Sequence, residues 1–274
     1  GMPAMAVTDH GNLFGVIEHY KACKDVGIKP IIGCEVYVAI ESRYLRKAAR
    51  GLAHASNHLV LLAKNTTGYR NLTKLVSKGY TEGYYYNPRV DKELLREYSE
   101  GLVCLSACVA GEVPHMIQRE GVTEAEKVAR EFMEIFGDDY YLEIQRHGID
   151  IEGKVNDGLL RLHKKLGVPL VATNDFHFLS ADDHAAHAAL VCIQTGKNIG
   201  DENRMCYPEG LYMKSPDEMY KLFNDLPDAT ERTLEIAEKC DVELEFGTMH
   251  MPEFPIPRGH DNSESYLVNL SKEG

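Results

Sequence analysis

The chain has 274 residues, 44% of them hydrophobic, with a formal net charge of -12 at pH 7 and a sequence pI near 5.5. That length can bury one large core or two modest ones, and one domain with a C-terminal extension is the simplest partition. The acidic balance excludes a surface that grips nucleic acid by charge alone, since binding driven by counterion release needs a basic patch.

Short β-branched runs alternate with longer periodic stretches, the pattern of βα units and a mostly parallel sheet. Strands are predicted at Ala4–Thr8, Pro30–Val38, His58–Ala63, Leu102–Ser106, Tyr140–Ile144 and Pro169–Thr173. Helices are predicted between them at Leu13–Val26, Thr67–Lys78, Lys92–Tyr98, Thr123–Phe136 and Gly153–Leu166. Gly27, Gly79 and Gly167 stand where helix C-caps belong, and Pro30 and Pro169 open the strands that follow. This order suits a closed or nearly closed barrel. An open doubly wound sheet is the alternative, but the Gly-rich phosphate loop it often carries is missing. Past residue 180 helices are predicted at Asp182–Thr195, Ser215–Phe223 and Asp228–Lys239, with a loop from Lys197 to Gly210 and an extended linker over Glu253–Pro257. The chain starts within a strand approach, and the amphipathic pattern from Ser263 to Gly274 breaks off, so both ends read as cuts through a longer polypeptide.

The seven cysteines (Cys23, Cys34, Cys104, Cys108, Cys192, Cys206 and Cys240) are odd in number and scattered, which predicts reduced thiols. With no apolar run of spanning length and no signal-peptide pattern, a cytoplasmic protein without a membrane partner is expected.

Several residues that can carry chemistry fall at strand ends. His10, in Thr8-Asp9-His10-Gly11, follows the first strand, where side chains at a barrel's C-terminal face converge. Glu35 lies in an apolar strand, where a carboxylate is costly to bury unless it is paired or holds a cation; facing solvent is the alternative. Val171-Ala172-Thr173-Asn174-Asp175-Phe176-His177 ends a strand in Asp-x-His, which places an oxygen and an imidazole ligand on one side of an extended chain. Helix capping by Asp175 is the competing reading. Cys108 also follows a strand and offers a thiolate, or is merely a buried apolar residue. His58 opens its strand, so simple barrel geometry does not bring it to the same mouth. His147, after the strand at Tyr140–Ile144, is expected at the rim of the pocket, where it meets substrate. The other histidines (His19, His54, His115, His163, His184, His187, His250 and His260) read as surface or helix residues. Side chains from four strand ends that meet at one mouth would form a polynuclear metal centre, which fits phosphoester hydrolysis.

Four segments carry a family resemblance: Ala6–Gly15, Lys29–Tyr37, His58–Asn65 and Leu170–His177. In order and spacing they resemble the motifs of the PHP (polymerase and histidinol phosphatase) domain, in the version at the start of the bacterial DNA polymerase III α subunit. Tyr212–Pro216 and its neighbouring helices extend the likeness over nearly the whole chain. The resemblance implies a distorted seven-stranded, TIM-like β/α barrel with a mainly helical extension. It implies a divalent metal cluster of zinc, manganese or iron, held by His10, Glu35, His58, Cys108, Asp175 and His177. The family's opening His-x-His strand lies before residue 1, so the first strand and several ligands are expected to be missing and the centre incompletely liganded. The domains expected are a metal-binding barrel over 1–196, a helical extension over 197–250, and a linker with the start of the palm region over 251–274. The implied function is a metal-dependent 3′-5′ exonuclease, with Asp175, His177 and His147 catalytic. Its parent would be a magnesium-dependent DNA polymerase that meets DNA, its own palm and thumb, and other replisome subunits. A purely structural module and a histidinol-phosphatase-like enzyme are the alternatives.

Overall fold

The computed structural model describes residues 1–46 and 56–274. His54 falls outside the described residues. Contacts divide the chain into two compact units, Gly1–Val242 and Glu243–Gly274.

The first unit is a mixed sheet curled into a half-barrel with helices around it. Its strands are β1 (Ala4–Val7), β2 (Lys29–Ala39), β3 (Ser56–Ala63), β4 (Arg89–Val90), β5 (Leu102–Leu105), β6 (Tyr140–Ile144) and β7 (Leu170–Ala172). They pair in the order β1-β2-β3-β5-β6-β7, with β4 beside β2. Helices α1 (Val16–Asp25), α2 (Thr66–Thr81), α3 (Lys92–Tyr98), α4 (Glu112–Arg119), α5 (Val122–Phe136) and α6 (Asp150–Leu166) connect them. After β7 come α7 (His184–Thr195), α8 (Pro216–Leu222) and α9 (Pro227–Lys239).

One departure from a parallel sheet decides where the site forms. β3 runs antiparallel to both β2 and β5, so its first residues lie beside the C-terminal ends of its neighbours. The short stretch Leu102–Leu105 then returns parallel to β6.

Two predicted details are corrected. Gly79 does not end a helix. It lies inside α2, where a Cβ would come within 3.2 Å of the Pro88 carbonyl, so its role is a close helix-to-loop approach. α4 was not foreseen; Pro114 sits in its first turn, where a missing N–H costs nothing. Gly27 and Gly167 do follow their helices in left-handed conformation, both at φ 73.

The inner face of the sheet is apolar below and polar above. Ile31, Leu62, Val103 and Tyr141 are buried with Ile236 and Ala237 of α9, which closes the lower end, and with Cys240 just after it. Lys29 fixes that helix by donating from Nζ to the Ala237 carbonyl at 2.7 Å. Above this floor opens a cavity of about 800 Å³, with His10, Glu35, Cys108, Asp175 and His177 among its lining residues.

In the second unit, helix α10 (Ser263–Glu273) is capped by Asn262, whose side chain accepts from the Ser265 N–H at 2.8 Å. The Phe254 and Tyr266 rings stack 5.7 Å apart. The passage Glu253–Pro257 has no regular secondary structure.

Candidate metal centre

Glu35 anchors the site. It stands on β2 directly opposite Val60, facing inward, and is 5% exposed. Nδ1 of His58 lies against its Oε1, and Nδ1 of His10 is 3.5 Å from the same oxygen. That oxygen is buried yet makes no hydrogen bond of good geometry. Donor atoms of His10, Glu35 and His58 all lie within 4.8 Å of one another. Two imidazole nitrogens and a carboxylate oxygen this close together are a hard-and-borderline donor set that suits a divalent cation.

The direction of β3 accounts for His58. A strand's apolar pattern does not state its direction, and in a parallel sheet His58 would sit at the floor. Because β3 is antiparallel, the opening residues of this strand reach the mouth.

The remaining candidates arrive beside these three. The His177 ring is 6.3 Å from that of His10, and its Nε2 is 3.7 Å from Oδ1 of Asp175. Cys108 places Sγ 3.9 Å from Nδ1 of His58. Asp175 holds φ 46 and Ala107, just before Cys108, holds φ 63, left-handed values that non-glycine residues rarely adopt.

Burial and mutual charge set the electrostatics. Burial pushes Glu35 up, but the close His58 imidazole and the fields of His58, His10 and His177 hold it below the ordinary carboxylate value. Asp175 is raised by burial and by the charge of Glu35. His177 is lowered, burial outweighing Asp175. The Cys108 thiol is pushed well up by burial. The setting thus disfavours a charge on Asp175, and a cation would relieve this.

His147 is not at an open rim. Its side chain is 3% exposed, Nδ1 is 2.7 Å from Oε1 of Glu152 and Nε2 is 2.7 Å from the Asn174 carbonyl. Both partners are acceptors, so both ring nitrogens donate. Burial lowers the imidazole, but these partners outweigh it and raise its pKa. A ring so engaged has no free atom for substrate; it pins the backbone one residue before Asp175. Asn174 is pinned again by its side chain, which donates to the Tyr212 carbonyl at 2.8 Å.

Three residues at the site were not singled out from the sequence. Glu143, pointing inward from β6, accepts from Thr173 Oγ1 at 2.5 Å and Gln145 Nε2 at 3.1 Å, while its Oε2 is buried without a partner. Burial, with Asp175 and Glu35 nearby, pushes it up to about 7. Its signal was a carboxylate inside an apolar strand, the same signal that marked Glu35. Tyr207 and His187 flank His177, with ring centroids 4.7 Å and 5.9 Å away. For Tyr207, on an irregular loop, no sequence pattern points to the site.

With this geometry in place, comparison with known proteins is decisive. The model of the PHP domain family matches residues 1–147. The chain belongs to the PHP domain family. The DNA polymerase III subunit alpha of Borreliella burgdorferi is 47% identical across 100% of the chain, which covers 24% of that protein. The subunit of Treponema pallidum is 44% identical with the same coverages. That of Thermus aquaticus is 43% identical over 98% of the chain and 22% of its own length. This PHP domain therefore spans about a quarter of the length of these relatives. Among the described residues no helix is long and apolar enough to cross a membrane.

Proposed function

We propose that this PHP domain is a metal-dependent phosphoesterase acting as a 3′-5′ exonuclease within a bacterial DNA polymerase III α subunit. The observation that carries the reading is the convergence of His10, Glu35 and His58 within 4.8 Å, with Asp175 and His177 beside them. His10, Glu35, His58, Cys108, Asp175 and His177 would hold a cluster of zinc, manganese or iron-like ions. When bound, such ions supply Lewis acidity toward a phosphoryl oxygen.

The chain's own groups do the rest. Glu35, kept ionised, and Asp175 supply the negative charge that draws cations to the mouth. His147, braced by Glu152, acts on the Asp175 loop through Asn174 and not on substrate. Glu143 can hold or release a proton at Oε2 near neutral pH, the range a general acid or base needs. The longer protein would be a magnesium-dependent DNA polymerase, in which this domain meets the DNA 3′ end and the palm and thumb.

In that polypeptide, Asp175→Asn is expected to lower manganese-dependent 3′-end trimming roughly a hundredfold or more. Unchanged trimming overturns the catalytic assignment. A second reading, a structural module that supports the polymerase, draws on the exposed apolar face of α7, where Leu190 and Ile193 are 65% and 80% exposed. On that reading a chelator lowers the melting temperature and polymerase activity, and no nuclease activity exists to lose.

A further inference from the structure

The turn between α2 and β4 presents a cluster of tyrosines that the metal centre does not use. Tyr84 and Tyr86 are 52% and 81% exposed, and Tyr80, in the last turn of α2, is 42% exposed. The Tyr80 and Tyr84 rings lie nearly parallel, 6.1 Å apart at 26°, while Tyr86 meets Tyr85 edge-on at 4.7 Å. Rings this large are ordinarily buried, and here the backbone holds them out.

That hold is rigid. Gly83 packs so closely on the Arg89 carbonyl that a Cβ would come within 1.8 Å of it. Arg89 is buried and braces the turn, donating from Nε to the Gly83 carbonyl and from Nη2 to the carbonyls of Arg43 and Leu45, all at 3.0 Å. Tyr86 is fixed at φ 61, a strained value for an aromatic residue. Among the described residues the other non-glycine positions with such a φ are Ala107 and Asp175, both at the metal centre. Strain of this kind persists where function needs a fixed presentation.

The turn also abuts the mouth of the sheet. Pro88, two residues after Tyr86, touches the loop of the first candidate ligand: a Cβ at Gly11 would meet Pro88 Cγ at 2.8 Å and the Tyr37 ring at 3.0 Å. Gly11 follows His10 directly, and the Tyr37 ring stacks on His10 at 6.1 Å and meets His58 edge-on at 5.3 Å. Pro88 and the Tyr37 ring thus both pack on the Gly11 loop, which places the exposed turn next to the imidazoles.

We propose that Tyr80, Tyr84 and Tyr86 form a stacking platform that receives the bases of a single-stranded nucleic acid and leads its end past Tyr37 to the metal centre. The direction of travel rests on the phosphoesterase reading; binding to the platform is a separate property. Stacking suits this chain because a net charge of -12 leaves little scope for gripping phosphates. Every base has a π face, whereas duplex bases are already stacked on one another, so the platform favours single strands without reading sequence.

The test uses the purified 274-residue chain and a short fluorescent oligothymidylate, followed by anisotropy in EDTA over a range of salt. The platform predicts binding with a shallow salt dependence, tighter for the single strand than for a duplex. Tyr84→Ala combined with Tyr86→Ala weakens it about tenfold or more, while Tyr84→Phe with Tyr86→Phe retains it. Equal binding by the alanine pair at an unchanged melting temperature overturns the proposal, as does a wild-type chain that ignores the strand or prefers duplex. Manganese-dependent trimming, measured without EDTA in the longer polypeptide carrying the same substitutions, forms a separate arm. Loss of trimming in Asp175→Asn, with full binding and trimming in the alanine pair, overturns the platform and leaves the phosphoesterase standing. Ring-dependent binding with no trimming in any sample does the reverse.

Discussion

At the floor of the curled sheet, Leu62 and Val103 lie opposite each other across the β3–β5 pair, packed with Ile31 and with Ile236 and Ala237 of α9. At the mouth, Glu143 on β6 carries a buried carboxylate oxygen without a partner, and Ala107 and Asp175, just past β5 and β7, hold left-handed backbone. The floor is made of interactions that favour folding, and the mouth of groups that oppose it. A site kept in a state costly to the free chain is one whose energy is recovered on binding, so the floor must supply the surplus that lets the mouth exist.

The sharpest way to break this contrast is to weaken the floor. Leu62→Ala is expected to cost about 2–5 kcal/mol, because it removes buried methyl groups and leaves a cavity between β3, β5 and α9. Urea denaturation measures the loss; metal content per folded molecule should not change. A loss below about 1 kcal/mol would mean that the floor is not where the stability resides.

Metal linkage tests the mouth with a smaller effect. Manganese at a hundred times its Kd should stabilise the wild-type chain by about 2.7 kcal/mol. The same concentration should leave His58→Ala almost unmoved, since that change removes one of the three convergent donors. An equal rise in melting temperature for both would place the bound ion elsewhere.

Glu143 sharpens the contrast further, through pH. Its folded carboxyl titrates at about 7, above the value of about 4.3 for an unfolded glutamate. The unfolded chain therefore releases this proton first as pH rises. The contribution of Glu143 is fully present below the unfolded value, falls through the window up to the folded value, and stays lost above it. In chelator-treated protein, Glu143→Gln should gain about 1–3 kcal/mol on wild type between roughly pH 5 and pH 8. A flat difference across that range would show that the carboxyl is not held protonated by its surroundings.

The same division governs what the sequence revealed. β6 and α3 have the predicted boundaries, because an apolar run and a capped periodic stretch carry their own signals. Glu35 and the Asp175–His177 pair stood out because polar groups interrupted apolar strands. His58 did not, since its place depends on β3 running antiparallel, a property of the strand's partners and not of its residues. β4 has two residues, too few for any pattern. The burial of His147 depends on Glu152, on the first turn of α6, and the Asn174 carbonyl, which come together only when β6 and β7 pair.

The smallest expected effect asks what kind of cost the mouth carries. Asp175 is opposed by burial and by the charge of Glu35, and it also holds φ 46. Asn occupies left-handed backbone at least as readily as Asp, so Asp175→Asn removes the charge and keeps the conformation. Asp175→Gly removes both, but glycine adds freedom to the unfolded chain that offsets much of the relief. Without metal, both variants should be more stable than wild type and within about 0.5 kcal/mol of each other. That equality would make the cost at this position electrostatic, the kind a bound cation cancels. If glycine exceeds asparagine by more than about 1 kcal/mol, the cost is conformational, metal binding would not repay it, and the contrast between mouth and floor would need a different cause.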